Sequence, residues 1–246
     1  MRAASLICIL LLLPAILGAQ EGGDVQAQIL YAYQTEDTNT LVNLIQDLAA
    51  KLKDAPGDAT LSYHLAHANY RMGQLAGRAQ SHRAEQSFSD CIDELKPLLQ
   101  KDVKSVETLI LQGACYQQLA DLKSVEAVVL RGRAGDRLNA AAKLAPKNPR
   151  LLLVSSTEEL ARAKVGSPQR QQALSQLNLA AQIFDTASGT SVDEPGWGHS
   201  EAYLALGKEA QARGDRVQAR NLFEKALIAA PDFKAAQRQL AMLAKP

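Results

Sequence analysis

The chain has 246 residues, with 27 Lys and Arg against 26 Asp and Glu. This near-neutral balance argues against nucleic acid as a partner, because nucleic-acid-binding proteins usually carry a basic surface. Hydrophobic residues make up 47% of the chain but aromatic residues only 4%, so Ala and Leu must supply most of the core. Such a core suits close-packed helices better than a sheet, which favours β-branched and aromatic residues.

Residues 1–19 have the pattern of a secretory signal peptide. Arg2 supplies the positive start, residues 6–17 are an unbroken apolar run, and Ala19 is a small residue at the cleavage point. A membrane anchor is the alternative, but the run is shorter than the roughly 20 residues that a spanning helix needs. We therefore predict cleavage after Ala19 and export to the periplasm or the extracellular space, without stable membrane insertion of the mature chain.

Residues 20–57 are predicted to form a helical N-terminal cap. A short apolar helix over residues 25–33 is followed by a polar break at residues 35–38. A second helix begins near Leu41. Its apolar residues recur at steps of three and four. Residues 54–58 end this helix, because Pro and Gly between Asp residues strongly favour a turn.

One spacing then recurs four times: an Ala, an apolar residue four positions later, and an Ala or Cys three positions after that. The four sets are Ala84, Phe88 and Cys91; Ala134, Leu138 and Ala141; Ala173, Leu177 and Ala180; and Ala219, Phe223 and Ala226. Steps of four and three place each set on one face of a helix. Another helical pattern precedes each set, so the sequence predicts a series of helix pairs.

The clearest pair lies within residues 200–231. Its first helix carries an apolar and small face made by Tyr203, Leu206, Gly207 and Ala210. Gly214 and Asp215 interrupt the helical pattern, and Pro231 ends the second helix. This arrangement of aromatic, Leu-Gly, Ala, Phe, Ala and Pro residues resembles the tetratricopeptide repeat.

The resemblance implies an all-α, right-handed α-solenoid of about four helix-turn-helix repeats with helical caps. The predicted repeat domain covers residues 58–246, and a C-terminal capping helix covers residues 232–244. Its repeats are predicted at about residues 59–97, 102–146, 149–185 and 200–231. The central apolar residues of the four sets lie 50, 39 and 46 residues apart, whereas the family period is about 34. The repeats are therefore divergent and carry inserted residues.

In this family the first helix of each repeat lines an inner groove that binds a protein or peptide. The groove positions implied by the resemblance are Tyr63, His67, Tyr70, Glu107, Ile110, Ala114, Gln117, Arg150, Leu153, Thr157, Glu201, Leu204, Lys208 and Gln211. Asn is absent from this set and only Arg150 and Lys208 are cationic, which disfavours the carboxylate clamp of some family members. The mixed lining suits a peptide or helix docked partly by apolar contact. The alternative is that Tyr63 and Tyr70 are ordinary core aromatics.

The sequence shows no pattern of a catalytic, cofactor or metal site. His64 and His67 lie three residues apart, as a metal pair can, but no Cys or carboxylate completes a ligand set at a recognisable spacing. There is no Gly-x-Ser-x-Gly motif and no glycine-rich phosphate loop. We therefore predict that the protein is not an enzyme and needs no cofactor.

Three further features have two interpretations each. Cys91 and Cys115 form either a disulfide or two small buried residues. Residues 193–198, which hold the only Trp, are either a binding loop or an ordinary connection between repeats. Residues 123–170 hold ten Lys and Arg against four Asp and Glu, which indicates either an anionic partner or a solvated helix surface.

The predicted function is an exported, non-catalytic scaffold for protein–protein interaction or complex assembly. One alternative is a transport-linked or small-ligand-binding component, in which the inserted residues close the groove into a pocket. Another is a regulatory module within a larger assembly. An open groove would favour the scaffold, and a deep apolar cavity would favour the ligand carrier.

Overall fold

The computed structural model describes residues 15–187 and 195–244, with side chains from residue 25 onward. The helices are α1 (Ala15–Gln34), α2 (Thr38–Asp54), α3 (Ala59–Ala76), α4 (Ser81–Lys101), α5 (Val106–Leu122), α6 (Ala127–Leu144), α7 (Pro149–Arg162), α8 (Pro168–Ala187), α9 (His199–Ala212), α10 (Arg216–Ala229) and α11 (Lys234–Leu243), with a short 3₁₀ helix (Gly77–Gln80) before α4. The described ranges contain no strand. The predicted all-α class is confirmed.

The helices pack as consecutive helix-turn-helix pairs. The closest partners are α3 with α4, α5 with α6, α7 with α8, and α9 with α10, and each pair packs on the next. Helix α3 contacts α5, and α5 contacts α7. Residues of α3, α5, α7 and α9 line one cavity, so the first helices of the pairs share one side of the solenoid, here called the inner face. Helices α1 and α2 precede the pairs and α11 follows them, as a capped solenoid requires.

Side-chain caps and turn residues set where several helices begin and end. The N-cap side chains that accept backbone N–H groups belong to Asp37 for α2, Asp58 for α3, Asn148 for α7 and Asp215 for α10. Such caps satisfy amide groups that have no partner within the helix. Helix α2 ends at Asp54 and Gly57 adopts a φ of 95°, so the predicted turn lies at residues 54–58.

The recurring spacing forms the core of the solenoid, because every member of the four sets is buried. In three pairs its central residue packs on a glycine of the preceding helix. A Cβ added to Gly207 would lie 2.4 Å from the Phe223 ring, and one added to Gly73 would lie 2.6 Å from the Phe88 ring. These distances are too short for a real contact. The missing Cβ therefore allows the two helices to approach closely.

The extra residues within the repeats lengthen helices instead of forming loops. Pro97, predicted near the end of its helix, lies inside α4, which continues to Lys101. Helix α6 likewise runs without a break through Gly132 and Gly135. Helix α8 continues past residue 185, the predicted end of the third repeat, to Ala187. Burial of Leu98, Leu99 and Phe184 in the core outweighs the weak local helix propensity.

A disulfide joins the first two helix pairs. Cys91 of α4 and Cys115 of α5 are bonded, and both are fully buried in the main core. Of the two interpretations offered by the sequence, the structure has the disulfide. It links helices that already pack against each other, so it strengthens an existing interface.

The two ends of the solenoid meet. The Tyr33 ring at the end of α1 lies 6.0 Å from the Phe233 ring before α11. Next to it, both carboxylate oxygens of Glu36 accept hydrogen bonds from Arg238, at 2.6 and 2.7 Å. Helix α1 thereby approaches the end of the inner face, which a simple open solenoid would leave uncovered.

The predicted export signal is not tested by the fold. Residues 1–14, which include most of its apolar run, lie outside the described residues. Helix α1 begins at Ala15, so the predicted cleavage point after Ala19 falls within this helix. Among the helices that the structure describes, none combines the length and apolar character required to cross a membrane.

Candidate functional site

A short segment, residues 195–198, covers the centre of the inner face and is here called the Trp197 segment. Trp197 is 2% exposed, and its Nε1 donates a hydrogen bond to the Tyr63 hydroxyl at 3.2 Å. Arg150 donates to the Pro195 carbonyl at 2.6 Å, and the Gly196 amide donates to Gln26 of α1 at 3.0 Å. The segment is therefore fixed to α1, α3 and α7 at once.

Gly198 allows the segment to turn into α9. Its φ is 114°, which favours glycine, and an added Cβ would lie 2.5 Å from the Phe184 ring. Its backbone N–H donates to the Glu201 carboxylate at 3.1 Å. Glu201 thereby satisfies one of the free amide groups at the start of α9 and anchors the covering segment to that helix.

Arg71 lies at the centre of the buried polar network. Arg71 is 1% exposed. Its Nη2 donates a hydrogen bond to Glu201 at 2.5 Å, which joins α3 to α9. Its Nε donates to His67 at 3.0 Å, and its Nη1 donates to Gln74 at 2.8 Å. The guanidinium carbon lies 4.2 Å from the centre of the Tyr33 ring, a distance typical of a cation–π contact.

Burial and charge set the protonation states in this network. Burial alone would lower the pKa of Arg71, but Glu201, Tyr33 and Tyr70 together outweigh it and the net pKa is raised. Burial, followed by the positive charge of Arg71, lowers the pKa of His67 well below its usual value. His67 is therefore neutral and accepts the Arg71 hydrogen bond through Nε2. Its Nδ1 has no hydrogen-bond partner in the described structure.

A second ion pair supports the other side of the Trp197 segment. Arg150 of α7 donates to both oxygens of Glu107 of α5, at 2.7 and 2.9 Å. Asn148 donates to the same carboxylate at 2.6 Å. Because Arg150 also holds the Pro195 carbonyl, two of the predicted groove residues position the segment that covers the groove.

Beside the Trp197 segment, the inner face retains a cavity of about 380 Å³ that is partly open to solvent. Each first helix of the four pairs contributes to its wall, together with α1 and the Trp197 segment. The lining residues are Tyr33, Tyr70, Arg71, Gln74, Gln118, Leu153, Val154, Thr157, Leu160, Ala161, Trp197, Glu201, Leu204, Ala205, Lys208 and Glu209. We call this space the inner cavity.

The charged groups of the inner cavity are mostly neutralised by pairing. Glu201 pairs with Arg71, and Glu209 pairs with Arg170 at 2.6 Å. Lys208, in contrast, has no ion pair or hydrogen bond with any residue that the structure describes. Partial burial, with the charge of Arg238 second, lowers the pKa of Lys208. Lys208, which is exposed, is therefore the one charged residue of the wall without an ion pair to a described residue.

The predicted groove residues separate into two groups. Six of them line the inner cavity: Tyr70, Leu153, Thr157, Glu201, Leu204 and Lys208. The others do not line it: Tyr63, His67, Glu107, Ile110, Ala114, Gln117, Arg150 and Gln211. Within this second group, Ile110 and His67 are fully buried and Ala114, Gln117 and Arg150 are nearly so.

Tyr63 and Tyr70, two of the predicted groove residues, do not form an exposed contact surface. Tyr70 is 6% exposed, and Tyr63 is half-buried and holds the Trp197 indole. Both point to the inner face as expected, but the Trp197 segment packs there first. The alternative interpretation of these tyrosines as core aromatics describes them better.

Sequence reasoning missed several residues of the site, among them Tyr33, Arg71, Gln74 and Trp197. Arg71 and Gln74 follow His67 by four and seven residues, so the helical period already placed them on the predicted face. Trp197 lay in a segment interpreted as either a binding loop or an ordinary connection between repeats, and in the structure it covers the groove. Tyr33 carried no local signal, because its role depends on α1 packing across the inner face. The structure shows no group of three potential metal ligands among the described residues.

Comparisons with known proteins identify the fold. A crystal structure of a thermophilic TPR protein in Thermus thermophilus superposes with a TM-score of 0.63 at 18% sequence identity. The match covers 92% of this chain and 98% of that chain. No family model and no curated protein matches the sequence. At this identity the likeness establishes a tetratricopeptide-like helical solenoid and nothing about the partner.

Proposed function

We propose that this protein is an exported, non-catalytic scaffold that binds a protein or peptide partner at the inner cavity. The observation that carries the proposal is the cavity itself, to which all four helix pairs contribute. Its volume of about 380 Å³ lies at the lower end of the range for binding pockets. It is large enough for one or two side chains of a peptide and too small for a whole helix.

The lining suggests how a peptide would bind. Leu153, Leu160 and Leu204 form a buried apolar wall that would gain stability by covering an apolar side chain. Lys208 provides a hydrogen-bond donor in the same cavity. The partner would therefore insert an apolar side chain and place an acceptor near Lys208.

Pairing of the acidic groups supports a non-catalytic role. A carboxylate or imidazole that acts as a general acid or base must be free to exchange a proton with a substrate. The two carboxylates in the wall, Glu201 and Glu209, are each bound to an arginine. His67 is held neutral beneath the Trp197 segment and does not line the cavity.

The disulfide supports export. A buried bond between Cys91 and Cys115 is typical of proteins from oxidising compartments and rare in the cytosol. This agrees with the signal-like residues 1–19. Mass spectrometry of the exported protein should find a new N-terminus directly after Ala19, and a chain retained in membranes with Met1 intact would contradict export by cleavage.

The cavity can be tested by filling it. Ala205 is half-buried in the cavity wall on α9, so Ala205→Phe should occupy the space without removing an existing interaction. The matched control is Ala229→Phe, because Ala229 is exposed on α10. Peptides selected from a random display library against the wild type should bind the control equally and lose binding to Ala205→Phe. Selected peptides that bind all three proteins alike would refute the inner cavity as the partner site.

A second candidate function is small-ligand binding, which the aromatic wall favours. Tyr33, Tyr70 and Trp197 surround one side of the cavity, and aromatic walls are common in pockets for small molecules. Native mass spectrometry of the exported protein distinguishes the candidates. A co-purifying small molecule that is present in the wild type and absent from Ala205→Phe would favour the ligand carrier.

A further inference from the structure

The turns that connect the two helices of each pair lie along one edge of the solenoid, here called the turn edge. Arg78 in the first such turn donates to the Asp121 carbonyl at the second, at 3.4 Å. Arg170, which follows the third turn, bonds to Glu209 at the end of α9, where the fourth turn begins. These contacts place the first turn next to the second and the third next to the fourth.

Exposed valines recur along the turn edge. Val125, Val165 and Val217 lie at the second, third and fourth turns and are 97%, 86% and 73% exposed. Val128 and Val129 extend the apolar surface at the start of α6, at 82% and 60%. Single exposed hydrophobic residues are normal on protein surfaces. Here, however, exposed valines recur at or next to the second, third and fourth turns.

Cations accompany these valines. The turns and their flanking residues carry Arg78, Lys123, Arg162, Lys164, Arg213 and Arg216. The neighbouring acidic groups are already engaged within the chain. Asp121 pairs with Arg131, Glu126 pairs with Lys123, and Asp215 caps α10. Lys123 and Arg162 are themselves paired, with Glu126 and Glu158. The edge therefore presents Arg78, Lys164 and Arg213, which form no ion pair with a described residue, beside protruding apolar side chains.

We propose that the turn edge binds the surface of an anionic lipid bilayer. Phosphate groups of the lipids would meet the cations, and the valines would enter the boundary between headgroups and acyl chains. Such adsorption is reversible and requires no membrane-spanning helix. The valines of the turn edge do not line the inner cavity, so the two proposals can be tested separately.

A lipid surface fits this edge better than a folded protein does. The valines at successive turns are separated from one another by Lys, Arg and turn residues. A protein interface of ordinary size has a contiguous, well-packed apolar core. A fluid bilayer can instead accept separate side chains at several points, so dispersed insertion is compatible with lipid and poorly compatible with a rigid partner.

The test is co-sedimentation of the exported protein with lipid vesicles. One set consists of phosphatidylcholine alone, and the other contains about a third of phosphatidylglycerol, which supplies negative surface charge. The test variant combines Val125→Ser, Val165→Ser and Val217→Ser. The matched control combines Val103→Ser and Ile228→Ser, because these residues are 67% and 81% exposed and lie near the opposite edge. All proteins are compared with the same N-terminus, so its contribution to binding is equal.

We expect binding only to the anionic vesicles, with a roughly tenfold loss in the triple variant and no loss in the control. Salt at about 0.5 M should also weaken binding, because exposed charges are screened. Equal binding of the triple variant, equal binding to neutral vesicles, or no binding by the wild type would each overturn the proposal. Self-association that light scattering detects in the wild type and not in the triple variant would instead identify the edge as a protein interface.

Discussion

Replacing Glu201 by Gln tests whether the buried network holds the inner face together. One oxygen of the Glu201 carboxylate accepts from Arg71, and the other accepts from the Gly198 amide and the Ser200 hydroxyl. Glutamine has the same shape but only one acceptor oxygen, and its amide nitrogen donates. Either Arg71 or Gly198 must therefore lose its acceptor, and the charge that balances Arg71 is removed.

The expected loss is about 3 kcal/mol of unfolding free energy. Breaking a buried ion pair by removing one partner typically costs about 3–5 kcal/mol, because the remaining charge is left uncompensated. The Arg71 side chain is 2% exposed and that of Glu201 is 15% exposed. Water can therefore do little to stabilise the Arg71 charge once its partner is removed. Arg71 keeps its contact with the Tyr33 ring and its hydrogen bonds to His67 and Gln74. We therefore expect a loss at the lower end of this range.

Urea unfolding of the single and double variants measures this effect. In an Arg71→Met background, Glu201→Gln should cost far less, so the double-mutant cycle should give a coupling of about 2 kcal/mol or more. Glu224→Gln is the matched control, because Glu224 pairs with Arg220 at 2.9 Å on the exposed surface of α10. Exposed pairs contribute about 0–1 kcal/mol. A Glu201→Gln loss no larger than that of the control would refute the buried network.

Three further predictions concern the core, the disulfide and the response to pH. Phe223→Ala should cost about 3–5 kcal/mol in thermal or urea unfolding, because it leaves a cavity against Gly207. Replacing Cys91 and Cys115 together by Ala should cost about 2–4 kcal/mol by removing a cross-link between residues 24 apart. Burial lowers the pKa of His67, so only the unfolded state gains this proton as pH falls through about 6.5. Stability should then decrease by up to about 1.4 kcal/mol per pH unit below that point, and His67→Gln should reduce the slope.

Each of these predictions has a clear contrary result. Unchanged unfolding of Phe223→Ala would remove the assigned contact between α9 and α10. Free thiols labelled in the native exported protein would contradict the disulfide. His82→Gln is the control for the pH profile, because His82 is exposed. A profile between about pH 7.5 and 5.5 that His67→Gln leaves unchanged would show that His67 is not held neutral in the fold.

The repeated helix pairs could be predicted because the relevant signal is local. The buried residues of a helix recur at steps of three and four, and Ala219, Phe223 and Ala226 have this spacing. Gly207, the small residue on α9 that faces Phe223, indicates that the two helices approach closely. The turn at residues 54–58 was predictable for the same reason, since Pro and Gly act on their own backbone.

Helix length was less predictable because packing competes with local propensity. Pro97 and Gly132 both disfavour a continuous helix, yet α4 and α6 continue through them. The apolar residues that follow Pro97, Leu98 and Leu99, are buried in the core. Their burial depends on neighbouring helices that the local sequence does not reveal.

The sequence by itself determined the helical class, the repeated pairs and the face that each first helix presents, because these follow from periodicity within about 20 residues. Only the tertiary structure decided what occupies that face. Trp197 reaches Tyr63 across 134 residues, and Glu201 reaches Arg71 across 130. Such contacts arise from the stacking of all the pairs and the meeting of the two ends, which no local pattern encodes. An open groove was therefore expected where the folded chain has a covered face and a small cavity.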